Sequence, residues 1–168
     1  MKIEGKVSIV LLDNIDTDII YPGRFLNITD KKETAGHLFE LVYPEYRSEL
    51  TGNDIIVAGA NFGCGSSREQ AATAIKYSNI RVVIAESFAR IFYRNALNIG
   101  LPLLSLKESN KKIHKGDELF VDLNNAVIEN KTSHEKFNFP KLDTYALELL
   151  QEGGLIPRLQ KKFLSLRG

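Results

Sequence analysis

The sequence predicts an α/β fold with strands running in both directions. Three observations carry that expectation. Short apolar, β-branched runs have the length of buried strands; stretches of helical spacing separate them in the middle third; and after Gly116 the pattern changes to brief strand-like runs parted by Asn- and Lys-rich turns.

Taken in order, Lys6 to Leu12 is apolar and β-branched and stops at Asp13-Asn14, as a strand running into a turn does. From Asp13 to Phe25, polar residues with Pro22 and Gly23 give loop chemistry around the short Ile19-Ile20 run. Residues 31 to 42 place Ala35, Leu38, Phe39 and Val42 at helical spacing. Asp54 to Gly59 is a buried-strand run, a glycine-rich loop follows, and the Ala-rich stretch Arg68 to Tyr77 is expected to be helical. Arg81 to Ala85 reads as the next strand. Ser87 is then expected to cap a helix carrying Phe88, Ile91 and Phe92 on one face, Gly100 to end it, and Leu101 to Leu106 to resume a strand. Strand, helix, strand, helix, strand in short order implies right-handed βαβ units and a parallel sheet.

Beyond Gly116, Glu118 to Leu123, Ala126 to Glu129 and Lys136 to Phe139 are strand candidates for an antiparallel meander appended to that sheet. Leu142, Tyr145, Ala146, Leu149 and Leu150 form a helical stripe that Gly153-Gly154 stops. Pro157 is placed to open a last helix carrying Ile156, Leu159, Phe163 and Leu166. No repeat, low-complexity tract or composition shift divides the chain, so residues 1–168 are expected to form one domain.

Composition excludes several function classes. Lys and Arg total 22 against 21 Asp and Glu, a net charge of +1 without a basic stripe, which speaks against nucleic acid. The first six residues lack a signal-peptide core, and no apolar run is long enough to span a bilayer; a cytoplasmic protein is expected, with no membrane partner. Cys64 is the single cysteine, so the chain forms no internal disulfide and lacks the several thiolates an iron–sulfur cluster requires.

The segment Gly59-Ala60-Asn61-Phe62-Gly63-Cys64-Gly65-Ser66-Ser67-Arg68-Glu69 lies between a predicted strand and a predicted helix, where backbone N–H groups and the positive helix end attract an anion. Ser66 and Glu69 have the S-x-x-E spacing of a capping box, so a purely structural role for Ser66 competes with a chemical one. Arg68 favours the chemical role, because a cation at an already positive helix start makes sense if an anion is held there. A P-loop requires a Gly-Lys-Ser/Thr that is absent, and a hydrolase elbow requires G-x-S-x-G, whereas Ser66 is followed by Ser-Arg-Glu. A carboxylate-binding lyase site fits best: Arg68 grips a carboxylate while a neighbouring serine handles a proton, its alkoxide steadied by backbone N–H groups and a cation. A non-catalytic anion-binding module built on the same loop is the rival reading.

Three segments, Asp16-Thr17-Asp18-Ile19-Ile20-Tyr21-Pro22-Gly23-Arg24, Asn61 to Ala71, and Glu86-Ser87-Phe88-Ala89-Arg90-Ile91-Phe92-Tyr93-Arg94-Asn95, strongly resemble the aconitase superfamily. Their order and the short chain resemble its separate small subunits, of isopropylmalate dehydratase and homoaconitase type. The resemblance implies a swivelling β/β/α domain and a hydro-lyase that is active only with a large subunit, in a heterodimer or heterotetramer. That large subunit is expected to carry a [4Fe–4S] cluster, with no cofactor or metal on this chain. It further implies that Ser66 removes a proton from carbon, that Arg68 binds a carboxylate of a small dicarboxylate substrate, and that Asp18 and Ser67 line the site. Arg90 and Arg94 are expected in structural ion pairs, Cys64 as a small space-filling residue, and His37, His114 and His134 at the surface.

In such proteins the loop after the Thr-Asp motif helps select the substrate; here it runs Pro22-Gly23-Arg24-Phe25-Leu26-Asn27-Ile28-Thr29. Phe25, Asn27 and Ile28 are therefore candidate substrate-binding residues. With no cation at 27 and Ile28 beside it, the loop favours an alkyl substituent over a third carboxylate, which would be costly to bury there unpaired. The expectation is 3-isopropylmalate and leucine biosynthesis. A methyl- or dimethyl-substituted malate is the alternative, then homocitrate, with Arg24 left as a possible inward-reaching cation.

Overall fold

A computed structural model of the chain describes residues 1–165. Strands β1 (Lys2–Val10), β2 (Asp54–Ala58), β3 (Ile80–Ala85) and β4 (Leu103–Ser105) alternate with helices α1 (Thr17–Ile20), α2 (Lys31–Ala35), α3 (Tyr46–Glu49), α4 (Glu69–Tyr77) and α5 (Arg90–Asn98). Then follow α6 (Ser109–Lys112), β5 (Glu118–Asp122), β6 (Val127–Asn130), β7 (Lys136–Asn138), α7 (Thr144–Gln151) and α8 (Leu155–Ser165). The strands form one seven-stranded sheet in the order β4-β3-β2-β1-β5-β6-β7. The β4-β3-β2-β1 side is parallel, and β1-β5-β6-β7 is antiparallel. The expected mixed α/β sheet is thus present, with β1 as the strand that joins its two halves.

β2 and β3 sit inside the parallel half, and their continuous apolar runs supply both faces. Ile56, Ala58, Val83 and Ala85 pack with Ala71, Ala72, Ala74 and Ile75 of α4 and with Phe92 and Ala96 of α5. Their neighbours Ile55, Val57, Val82 and Ile84 share a second cluster with Val121 of β5, Ile128 of β6 and Leu150 of α7. Ile3 and Val7 of β1 and Leu119 of β5 belong to the same cluster and link the parallel half to the antiparallel half. Each fully buried Ile or Val contributes about 1.5–3 kcal/mol, so these two faces anchor the strands from whose ends the site is built.

Some expected elements differ. β1 starts at Lys2, not Lys6, because its first residues pair antiparallel with β5. The helix expected over 31–42 stops at Ala35: buried Phe39 takes a left-handed φ of 54° and donates its N–H to the Ile20 carbonyl at 2.9 Å. That tertiary bond and the burial of Phe39 outweigh local helical spacing. The loop expected at 13–25 contains α1, whose N-cap Asp16 accepts the Ile19 N–H at 2.8 Å. α8 begins at Leu155, so Pro157 lies in its first turn, where no N–H is needed. Leu166, expected on its stripe, lies outside the described residues.

Candidate active site

Three loops meet at the carboxyl ends of β1, β2 and β3, where ligands of α/β sheets bind. The glycine-rich loop after β2 lies between the other two. Its Cys64 forms an isolated parallel bridge with Asp16, and its Phe62 forms one with Phe88. Gly63 donates its N–H to the Ile15 carbonyl at 2.7 Å, Phe62 to the Ser87 carbonyl at 3.0 Å, and Ala89 back to Phe62 at 2.9 Å. Asn61 has a left-handed φ of 60°; its N–H donates to the Ser87 hydroxyl at 2.8 Å and its side-chain amide to Asn14 at 2.9 Å. Gly63 has φ 77°, and a Cβ there would run into the Phe92 ring, so glycine is required twice over. Phe92 in turn packs edge-to-face on Phe62 at 5.3 Å. The approach to Ser66 is therefore a stapled segment.

Ser66 does not cap the helix. α4 begins at Glu69, and its N-cap is Arg68, in an extended conformation and with no side-chain cap. The expected capping box with Glu69 is absent because the chain turns tightly first: the Ser66 carbonyl accepts the Arg68 N–H at 2.8 Å, delaying helical geometry by two residues. Ser66 and Ser67 are exposed, and their hydroxyls make no hydrogen bond among the described residues. Ser87 is likewise no cap. Its hydroxyl is taken by Asn61, and α5 starts after Ala89.

Arg68 turns back over α1. Its side chain is 16% exposed, and Nη1 donates to Asp18 Oδ1 and, at 3.4 Å, to the Tyr21 carbonyl. The Arg68 guanidinium beside Asp18 holds that carboxyl below the usual range, helped by the Gly23 N–H at 3.1 Å. A Cβ at Gly23 would sit 3.2 Å from Arg68 Nη2 and 3.2 Å from Asp18 Oδ1, so glycine lets this turn pass against the pair. Thr17, one residue before Asp18, is 2% exposed. It donates its N–H to the Cys64 carbonyl at 2.9 Å and its hydroxyl to the Ser66 carbonyl at 3.0 Å. Ser66, Arg68 and Asp18 are thereby held together, with Ser67 between the first two in the chain.

The loop of residues 22–29 stands beside them. Gln70 of α4 donates to the Leu26 carbonyl at 3.4 Å, and Ile28 donates its N–H to Phe25 at 3.0 Å. Asn27 is exposed and Ile28 half-buried; neither they nor Phe25 bond to Ser66 or Arg68. Phe25 stacks on His37 at 3.7 Å between ring centroids, tilted by 17°. Arg24 lies over the same Phe25 ring at 4.6 Å and donates to Glu40 at 2.7 Å, while the other Glu40 oxygen meets His37. His37 and Arg24 together hold the Glu40 carboxyl below its usual range, His37 contributing most. His37 is therefore half-buried in a cluster and not a plain surface residue as expected, whereas His114 and His134 are exposed. Glu40 and Thr17 escaped the sequence reading. The i,i+3 spacing of His37 and Glu40 and the place of Thr17 beside Asp18 were the available signals.

The structural ion pairs expected for Arg90 and Arg94 are not formed: both are exposed and unpaired among the described residues. Cys64 is half-buried and enters the site through its backbone. No three His, Cys, Asp or Glu side chains stand grouped for a metal among the described residues, nor is any described helix long and apolar enough to cross a membrane.

Comparison with known proteins identifies the family. Residues 14–111, which hold every residue of the site, match the aconitase C-terminal domain family. A 3-isopropylmalate dehydratase small subunit from Thermodesulfovibrio yellowstonii is 48% identical over 162 residues, covering 96% of each chain. A methanogen homoaconitase small subunit from Methanothermobacter thermautotrophicus is also 48% identical, over 86% of this chain and 83% of that one. A crystal structure of 3-isopropylmalate dehydratase from Methanocaldococcus jannaschii superposes with a TM-score of 0.92 at 40% identity, covering 100% of both chains. The chain belongs to the aconitase C-terminal domain family, among the separate small subunits represented by these relatives.

Proposed function

We propose that this chain, as one swivelling domain over residues 1–168, is the small subunit of a two-subunit hydro-lyase that interconverts 2- and 3-isopropylmalate in leucine biosynthesis, in the cytoplasm. The observation that carries the reading is the pairing of an uncommitted Ser66 hydroxyl with a guanidinium two residues away that keeps donors free. Arg68 uses Nη1 on Asp18 and Tyr21; Nη2 and Nε remain for a substrate carboxylate. Asp18 aims the guanidinium. Ser66, as alkoxide, takes the proton from the substrate carbon; the C–H electron pair becomes the double bond as hydroxide leaves the neighbouring carbon. The reverse addition, with proton and hydroxide exchanged between the two carbons, completes the isomerisation. Ser67 and the backbone N–H groups at the uncapped start of α4 steady the alkoxide.

One cysteine cannot ligate a [4Fe–4S] cluster, so the residues of this chain do not fit that group. The cluster is expected on the large subunit, and no step assigned to this chain runs through it.

For the substrate, the supporting observation is that Arg24, the cation of the 22–29 loop, is engaged by Glu40 and stacked on Phe25. That leaves Phe25, Asn27 and Ile28 to face the substituent, and these residues suit an alkyl group better than a third carboxylate. A methyl- or dimethyl-substituted malate is compatible with the same loop. Homocitrate is the second reading, favoured by the similarity to a homoaconitase small subunit.

The test is anaerobic co-expression with the candidate large subunit and ultraviolet detection of unsaturated acid from 3-isopropylmalate, citramalate, dimethylmalate and homocitrate. Turnover of an alkyl malate that requires both chains is the expected result. Preference for homocitrate overturns the loop argument, and absence of turnover alongside anion binding by this chain alone favours an anion-binding module.

A further inference from the structure

We infer that Thr17 is a positioning residue for Ser66, acting through the Ser66 main chain. Three observations converge on it. Its side chain is 2% exposed, and so is committed to the interior and not to substrate. Its hydroxyl donates to the carbonyl of Ser66 itself at 3.0 Å, while its N–H donates to the Cys64 carbonyl at 2.9 Å, so one residue grips the loop on both sides of Gly65. Among the described residues no other side chain holds Ser66 in place: the capping box is absent and α4 has no side-chain cap. Gly65, with φ 89°, is the most permissive link in the loop, and the Thr17 hydroxyl lies where that link is braced.

The consequence is a two-rung clamp. Thr17 holds Ser66, and Asp18, the next residue, holds Arg68. The Ser66 carbonyl also accepts the Arg68 N–H at 2.8 Å, so both acceptor directions of that oxygen are used to fix the serine relative to the arginine. A shift of about 1 Å in a reacting group costs on the order of 100-fold in rate. The Thr17 hydroxyl is placed to prevent such a shift.

The inference rests on Ser66 being the base, and its test has one arm that does not. In the assembled enzyme, Thr17→Val and Thr17→Ala are expected to lower kcat by about 10- to 100-fold with KM within about twofold, while Thr17→Ser stays near wild type. Thr17→Ser and Thr17→Ala both lack the methyl and differ only in the hydroxyl, so that pair decides even if Thr17→Val fails to assemble. In the isolated full chain, amide hydrogen exchange over residues 64–69 should rise several-fold in Thr17→Ala and not in Thr17→Ser, the loss of one hydrogen bond. Equal kcat for Thr17→Ser and Thr17→Ala, or equal exchange, overturns the role. Exchange that differs while the wild-type complex turns over no malate leaves the clamp standing and refutes the proposed reaction instead.

Discussion

Replacing Arg68 by Lys separates carboxylate recognition from structural support. The stem of the side chain is retained, so packing changes little, but the planar fork is lost. Arg68 spends one nitrogen on Asp18 and Tyr21 and keeps two for a ligand. A lysine ammonium at the same place is drawn to Asp18 and offers a carboxylate one bond at best. The loss is one charge-assisted hydrogen bond, about 1.5–3 kcal/mol, or roughly 10- to 150-fold in kcat/KM. Stability should scarcely move. Asp18 is 57% exposed, so the solvent-screened pair contributes no more than about 1 kcal/mol, and the melting temperature should fall by less than about 4 °C. Steady-state kinetics of the assembled enzyme and a thermal melt of the chain read both numbers. A kcat/KM within about threefold of wild type would refute carboxylate binding by Arg68, and a large melting shift would make the arginine structural.

Three further outcomes are expected. Glu40→Gln should free Arg24 from its partner and raise turnover of homocitrate relative to 3-isopropylmalate by about 10-fold, the worth of one charge-assisted bond; an unchanged ratio removes Arg24 from substrate selection. Gly63→Ala should cost about 2–4 kcal/mol, from a left-handed φ and a collision with buried Phe92; a melt within about 2 °C of wild type contradicts the packing described. Asp18 and Glu40 both have depressed carboxyl values, so their contribution is complete above the ordinary carboxylate range and is lost as pH falls through the depressed ones. Wild-type stability should therefore drop below about pH 4 more steeply than that of the Asp18→Asn, Glu40→Gln double variant, as measured by melts across pH.

The middle of the chain was legible because local and tertiary preferences agree there. β2, α4 and β3 lie within a residue or two of their predicted positions, since Ile55 to Ala58 and Val82 to Ala85 are apolar on both faces and the alanines of α4 favour a helix. The antiparallel meander was also readable from its turns. What escaped is decided by contacts far apart in sequence. The Phe39 N–H bond to Ile20 breaks a helix that spacing alone supports, and Asn61 claims the hydroxyl that Ser87 seemed to reserve for a cap. At the site, the glycine–serine motif and Asp18 were visible by resemblance. The link from Thr17 to Ser66 spans 49 residues and has no sequence signature. The same holds for the engagement of Arg24 by Glu40, which local pattern leaves open.

The role of Ser66 is the centre of the account, and Ser66→Ala in the complete two-subunit enzyme tests it most directly. The hydroxyl bonds to no described residue, so its removal should leave folding and assembly with the large subunit unchanged, as read by melting and size-exclusion chromatography. Turnover of 3-isopropylmalate should be abolished, because the Ser66 hydroxyl is the group assigned to take the proton and alanine leaves no oxygen at that position. Near-normal turnover by a fully assembled Ser66→Ala enzyme would contradict the assignment.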